Sequence, residues 1–234
     1  MYKNQRILGI IPARGGSKGL PRKNIRVMGG KPLLVWTIEQ GARSKYLDRI
    51  IVSTDDKKIA RVAARHGADV PFIRPARLST SRAKSIDVVL HLLNRLVKRG
   101  ENYDVLVLLQ PTSPLRKTGD IDKALRLMDL KGADSVVSVC ETEHHPYWQN
   151  TLPPDGNMKG FVRKKYINRN RQEFPKYYRL NGALFAARVG YIRKHKNFFG
   201  PRCYAYIMPK ERSVDIDTAL DFGFAEYLMK RKKL

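Results

Sequence analysis

Short aliphatic runs alternate with segments that place an apolar side chain every three or four positions. The runs predict strands over Ile7–Ile11, Arg49–Ser53, Val105–Leu109, Ser135–Val139, Ala183–Ala187 and Tyr204–Met208. The periodic segments predict helices over Leu33–Ser44, Lys57–His66, Ile86–Lys98, Ile121–Leu130 and Ala219–Met229. Gly67 and Gly100 stand where helix C-caps are expected. Strands that alternate with helices make an α/β fold, a mostly parallel sheet covered by helices on both faces. Such sheets take ligands beyond the carboxyl ends of their strands.

One stretch breaks the alternation. From Glu143 to Leu180 there is no helical period, and Tyr147, Trp148, Phe161, Tyr166, Phe174, Tyr177 and Tyr178 stand among cations and prolines. A structureless loop of that length is unusual inside a compact domain, so this segment is expected to be an excursion with short strands of its own. Its aromatics and arginines suit a partner interface, or equally a lid on its own chain.

The richest chemistry follows the first strand, in Ile10-Ile11-Pro12-Ala13-Arg14-Gly15-Gly16-Ser17-Lys18-Gly19-Leu20-Pro21-Arg22-Lys23-Asn24. Gly15 and Gly16 permit a tight turn and a close approach of backbone N–H groups to an anion. Ser17 offers a hydroxyl, and Arg14, Lys18, Arg22 and Lys23 offer positive charge to several phosphates. The spacing is neither that of a Walker loop nor that of a dinucleotide fingerprint. A second segment, Val214-Asp215-Ile216-Asp217, places two carboxylates on one side of an extended chain. Paired hard oxygens suit Mg²⁺ shared with substrate phosphates. Helix capping by Asp217 is the competing reading, and it accounts for one aspartate only.

Three weaker segments complete the inventory. Gln110 ends a buried strand and enters the turn Pro111-Thr112-Ser113-Pro114-Leu115-Arg116. Asn181-Gly182 opens another strand and marks either a bend or a close ligand approach. Arg74 precedes Pro75 at the end of a short extended run. His144 and His145 are adjacent, so their side chains diverge, and no recognised metal spacing surrounds them.

Composition narrows the classes. At 234 residues and 42% apolar content the chain fits one full domain with room for a small appendage. No apolar run approaches the ~18 residues of a membrane span. The chain enters its first strand almost at once, so no signal peptide is expected. Cys140 and Cys203 suit a reducing compartment, and the expected location is cytoplasmic. The formal charge of +25 attracts anions of any kind. Nucleic acid is the first partner to weigh, but the basic residues are spread along the chain, with the nearest run at Lys230–Lys233.

Taken in order, these segments resemble the CMP-sialic acid synthetases, the acylneuraminate cytidylyltransferase family, from about Ile7 to Phe222. The resemblance rests on the glycine-rich basic loop, Ser53-Thr54-Asp55, Arg74-Pro75-Ala76, Gln110 to Arg116, Glu143-His144-His145-Pro146, Asn181-Gly182-Ala183 and Asp215-Ile216-Asp217. It implies a Rossmann-like sheet of the nucleotidyltransferase type, with a catalytic domain over 1–142 and 181–234 and a dimerisation and sugar-contact subdomain over 143–180. The implied reaction joins CTP to a nine-carbon 2-keto sugar acid and releases pyrophosphate.

The resemblance also implies roles. Arg14, Gly15, Gly16, Ser17, Lys18, Lys23 and Asn24 fall at the triphosphate, Arg74 and Ser85 near the cytidine. Asp215 and Asp217 match the metal-binding acids, with Mg²⁺ the implied ion. Gln110 falls near the reacting hydroxyl, as a contact and not as a base. Arg171 matches an arginine near the sugar acid's carboxylate, Phe185 a common tyrosine position, and Phe198 with Phe199 a paired aromatic wall for an acyl group. A homodimer is implied, each subunit lending sugar contacts to the other.

The chain departs from the family at Ser81, where an acid is usual, at Trp148, where a lysine is usual, and at Phe185. The sugar pocket is therefore expected to be less polar, and the acceptor stays open between N-acetylneuraminic acid and a deoxy, diacylamino relative such as legionaminic acid. A cytidylyltransferase for another sugar acid such as Kdo, a nucleic-acid-binding protein and a catalytically dead relative are the alternative readings.

Overall fold

The structure is a computed structural model that describes residues 2–17 and 19–232. After β1 (Ile7–Pro12) comes a small hairpin of β2 (Val27–Met28) and β3 (Lys31–Pro32), then α1 (Leu33–Ala42) and β4 (Arg49–Ser53). The chain continues through α2 (Lys57–Arg65), α3 (Ser85–Val97), β5 (Val105–Leu109), α4 (Thr118–Leu130) and β6 (Ser135–Glu141). It ends with β7 (Tyr178–Arg188), α5 (Val189–His195), β8 (Cys203–Ile207) and α6 (Ala219–Lys232).

The main sheet has six strands in the order β4-β1-β5-β7-β6-β8. Strand β1 runs parallel to β4 and β5, and β6 runs parallel to β8. Only β7 is reversed, antiparallel to both β5 and β6, so the expected mostly parallel sheet is present. Central strands buried on both faces read as continuous apolar runs, which is why β1 and β5 were conspicuous in the sequence. Alternate residues feed opposite cores. Ile7, Ile11, Val105, Val107 and Leu109 pack with Leu34, Ile38 and Leu125. Leu8, Ile10, Leu106 and Leu108 pack on the other face with Leu92, Leu96 and Ile192.

A third, smaller cluster positions the site. Leu20 from the basic loop, Met28, Leu33, Leu115, Ile216, Phe222 and Ala225 are buried together. Each such aliphatic burial contributes roughly 1.5–3 kcal/mol, enough to fix a loop's path.

Helix signals in the sequence are met closely. Asp56 caps α2 by accepting from Lys58 N at 2.6 Å and Ile59 N at 3.2 Å. Gly67 and Gly100 have positive φ, +83° and +76°, at the ends of α2 and α3. Helix α5 was not foreseen, because Gly190 and a run of cations hide its period.

The excursion differs from expectation. Among the described residues, 143–177 contains no strand, only 3₁₀ turns at Pro146–Trp148, Lys164–Tyr166 and Arg171–Glu173. Prolines and runs of cations leave it no alternating pattern to pair. Stacked rings give it order instead. Buried His145 sits 4.5–4.6 Å from the rings of Tyr147, Phe174 and Tyr177, and Tyr147 stacks on Tyr166 at 3.8 Å. Strand β7 starts at Tyr178, which pairs with Glu141, so the boundary expected at 180/181 falls inside a strand.

Candidate active site

The glycine-rich loop leaves β1 beside β4, where Ala13 N donates to Ser53 O at 2.9 Å. Asp55, just beyond β4, accepts from Gly15 N at 3.1 Å and faces Arg74 Nη2 at 3.6 Å. Arg74 is buried; that burial lowers its pKa, Asp55 opposes the shift, and neighbouring Arg14 adds to it. Two guanidiniums close enough to interact, with one carboxylate beside Arg74, leave an excess of positive charge. Asn24, also buried, donates to Arg14 O at 2.9 Å, so its amide fixes the loop's course.

Across from this loop lies the Val214–Asp217 segment. Ile216 is fully buried in the small cluster with Leu20, which turns the carboxylates of Asp215 and Asp217 the other way. The loop and the segment are in direct contact. Lys23 Nζ donates to Asp217 Oδ1 at 2.9 Å and to Ile216 O, and a Cβ on Gly19 would strike Asp217 O. Helix α6 is capped by Thr218, whose backbone N–H and hydroxyl each reach Asp221 Oδ2 at 2.7 Å while its Oγ1 accepts from Asp221 N at 3.3 Å. The capping alternative for Asp217 therefore falls away, and its carboxylate stays available on the cleft.

Asp215 is set deeper. Its Oδ1 is buried and has no hydrogen-bond partner among the described residues. Burial raises its pKa, the Thr112 hydroxyl opposes that, Asp217 adds to it, and Lys23 and Arg179 oppose it. Thr112 also accepts Ile216 N through its carbonyl, at 2.9 Å, which ties the Gln110 turn to the aspartates. A Cβ on Gly182, whose φ is +70°, would lie 3.0 Å from Gln110 Oε1 and 3.4 Å from Asp215 Oδ2. The absent side chain at Gly182 thus leaves Gln110 and Asp215 facing one space. Buried Asn181 holds that bend, accepting from Ser138 Oγ at 2.6 Å and donating to Ser213 Oγ at 2.9 Å.

The result is a cleft of about 540 Å³ lined by Arg14, Ser17, Lys23, Asn24, Arg74, Ser85, Gln110 and Asp217 among others. Gly15 lies behind it, with a Cβ there 2.9 Å from Asp56 Oδ2, whereas Gly16 has open space around its Cα. Lys18 lies outside the described residues.

Four expected sugar contacts are not gathered in this cleft. Arg171 is exposed on the excursion, 3.6 Å from Glu141 and 3.3 Å from Thr142 O. Phe198 is buried against Phe185, with ring centroids 5.3 Å apart, while Phe199 is exposed, so the two phenylalanines form no paired wall on this chain. Their adjacency sends successive side chains in different directions.

Sequence reasoning gave no role to several residues that shape the site. Asp55 and Thr112 lay within quoted motifs, and their hydrogen-bonding character was the available signal. Arg116 is buried and donates to Ala183 O and to Gln40 Oε1 at 3.0 Å, bracing the Gln110 turn against β7 and α1. Arg179 grips Glu143 through two bonds of 2.7 and 2.8 Å and reaches Ser213 O at 3.4 Å, joining the excursion's base to the aspartate segment. Nothing in local spacing announces such distant pairings.

An open α/β sheet with cations and paired acids converging beyond the ends of β1 and β5 defines a nucleotide-handling protein. The cytidylyltransferase family model matches residues 8–222, and the chain belongs to that family. It is 37% identical to the CMP-N,N'-diacetyllegionaminic acid synthase of Legionella pneumophila, over 96% of both chains. It is also 37% identical to the N-acylneuraminate cytidylyltransferase of Escherichia coli over 97% of this chain, which spans only 53% of that relative. A solved CMP:2-keto-3-deoxy-manno-octonic acid synthetase, complexed with CTP, shares the fold with a TM-score of 0.73 at 15% identity, covering 97% of this chain and 99% of the other.

Proposed function

We propose that this chain transfers CMP from CTP to the C2 hydroxyl of a nonulosonic acid and releases pyrophosphate. The observation that carries the reading is the meeting of the basic loop with Asp215 and Asp217 across one cleft, through Lys23 and Gly19. The two relatives at 37% identity are named for the same class of reaction.

In this reading Arg14, Ser17 and Lys23 hold the triphosphate, and Arg74 and Ser85 face the cytidine. The sugar oxygen bonds to the α-phosphorus as the bond to pyrophosphate breaks, and the hydroxyl proton passes to a phosphate oxygen. Gln110 orients that hydroxyl, since a neutral amide takes up no full proton. Positioning and charge stabilisation supply the acceleration, and no covalent nucleophile is required.

The orphaned Oδ1 of Asp215 and the exposed carboxylate of Asp217 fit a hard divalent cation. When bound, Mg²⁺ would neutralise charge on the triphosphate. Asp215 and Asp217 would hold it, and Lys23 would then be freed to turn from Asp217 toward phosphate.

For the acceptor we favour a diacylamino nonulosonic acid of the legionaminic type. Support comes from the Legionella relative, matched over 96% of its length. We also propose a homodimer. Exposed Leu152, Met158 and Ile167 on the excursion, and exposed Tyr178 and Leu180 at the start of β7, offer apolar surface for a second copy.

One panel assay tests the proposal. The protein is incubated with Mg²⁺, each of the four nucleoside triphosphates and a set of acids including legionaminic, N-acetylneuraminic and Kdo, and pyrophosphate release is followed. Release with CTP and nonulosonic acids, fastest with the diacylamino acid, is expected. Release with Kdo alone, or none with CTP, would refute it.

A further inference from the structure

The loop 78–83 that walls the nucleotide cleft has a second concavity on its far side. This one, about 630 Å³, lies between that loop and the outer face of α3, and Leu78, Thr80 and Ala83 border both spaces. Arg82 lines it from the loop and Arg77 from the turn just before, Arg95 from the last turn of α3 and Lys98 from its C-cap. Among the described residues lining it, Asp87 is the only acid.

We propose that this concavity is a binding site for a small polyphosphate, distinct from the nucleotide cleft.

Three observations carry the proposal. The side chains of Arg77, Arg82 and Lys98 make no ion pair or hydrogen bond among the described residues, so four cations gather with almost nothing to neutralise them. Arg95 is held in place over the Phe72 ring, 4.8 Å from its centroid, and is thus preorganised without a carboxylate. His91, edge-on to Phe72 at 5.7 Å, forms part of the wall, and its Nδ1 is buried without a partner. Burial first, then Arg77, Arg95 and Arg74, hold His91 below its ordinary pKa. That environment favours the neutral imidazole, which can donate or accept. Forked guanidiniums around a neutral donor match several phosphate oxygens at once. Inorganic pyrophosphate and the tail of a nucleoside triphosphate share this chemistry.

Calorimetry with the full chain tests it. Pyrophosphate is expected to bind wild type at two sites. Arg95→Glu with Lys98→Glu is expected to lose one of them, weakened about a hundredfold by the loss of two charge-assisted contacts. Arg77→Glu with Arg82→Glu is expected to lose the same site, and Lys23→Ala the other. Melting temperatures establish that each variant folds. ATP is the second probe: a site that takes ATP and not pyrophosphate assigns the ligand to nucleotides, and one that takes both assigns it to polyphosphate alone. A single pyrophosphate site in wild type that Lys23→Ala removes would overturn the proposal. So would two sites surviving both charge reversals. Binding of a single-stranded oligonucleotide that the reversals abolish, with no pyrophosphate bound there, would overturn it in favour of nucleic acid. Failure of CTP to bind, with the second site intact, would count against the proposed function alone.

Discussion

At the cleft, polar groups ride on backbone whose course is set by buried aliphatic side chains. Ile216 and Leu20 share one apolar cluster, and Asp215, Asp217 and Lys23 follow from where those two residues must sit. In residues 143–177 the roles are reversed. Polar and aromatic side chains are themselves the scaffold, with His145 among rings and Tyr177 Oη donating to Tyr147 Oη at 2.8 Å. The first arrangement fixes charged groups to within the tolerance of close packing. The second holds a segment together with little help from the sheet, apart from the Glu143–Arg179 and Arg171–Glu141 pairs and the start of β7. A site for chemistry needs the first kind of support, and the second suffices for the surface proposed to meet a second copy.

The largest effect separating the two regions is expected at the aspartates. Asp215→Asn and Asp217→Asn should each lower turnover on the order of a thousandfold, as loss of charge placement in a phosphoryl-transfer site does. Stability should move differently. Burial raises the Asp215 pKa above its unfolded value, so its protonated form is favoured in the fold. That contribution is full below the unfolded pKa and is lost as pH rises through the folded one. At neutral pH the ionised carboxylate is therefore a cost, and Asp215→Asn should melt at the same temperature or higher. Steady-state rates and thermal melts check this. A variant that melts well below wild type would make Asp215 a structural residue.

Next in size is the contact between loop and aspartate segment. Gly19→Ala places a Cβ against the Asp217 carbonyl, which is backbone and cannot swing aside. The two walls must part, and a misplacement of that order costs roughly a hundredfold in rate. Gly16→Ala meets no other part of the chain, so its turnover should fall less than that of Gly19→Ala. Equal losses in both would mean that backbone freedom, and not the close approach, is what the loop needs.

The excursion should respond in the opposite way. Phe174→Ala removes a ring that touches His145, Tyr147, Trp148 and Tyr166. Truncating a half-buried aromatic costs up to about 3 kcal/mol, here confined to residues 143–177. Limited proteolysis should cut within that segment while the sheet's main melting transition stays put. Loss of the whole fold would show that the excursion and the sheet form one cooperative unit.

These contrasts also explain what was legible in the sequence. Among the described residues, the six strands of the main sheet and five of the six α-helices were readable because burial on two faces imposes continuous apolar runs and helix burial imposes a period. The cleft was readable at Arg14, Ser17, Lys23, Arg74, Ser85, Gln110 and Asp217, since glycine-rich and acidic motifs carry their chemistry in local order. What escaped depends on contacts between distant residues. Asp55 meets Gly15 across 40 positions, and Arg116 reaches Ala183 across 67. In the excursion no period exists to read, and the expected strands proved to be ring stacking. Phe198 and Phe199 looked like a pair in one dimension, yet burial treats them differently.

The smallest effect tests the hinge between the two regions. Arg179 hydrogen-bonds Glu143 and holds its carboxyl at about 2, well below the ordinary value of 4.5. A depressed pKa stabilises the fold above the unfolded value, and that stability is lost as pH falls through the folded one. Wild type should therefore exceed Glu143→Gln in stability at neutral pH, and the gap should close between about pH 4.5 and 2. Both partners are partly exposed, at 35% and 50%, so water and salt screen the pair and the gap should be no more than about 1 kcal/mol. Arg179 also reaches Ser213 O, two residues before Asp215, so the same variant should weaken turnover severalfold through a displaced aspartate. Melts across this pH range, with and without salt, and kcat at neutral pH measure both halves. A stability gap that persists at pH 2, or unchanged kcat, would mean that the Glu143–Arg179 pair does not couple the excursion to the aspartate segment.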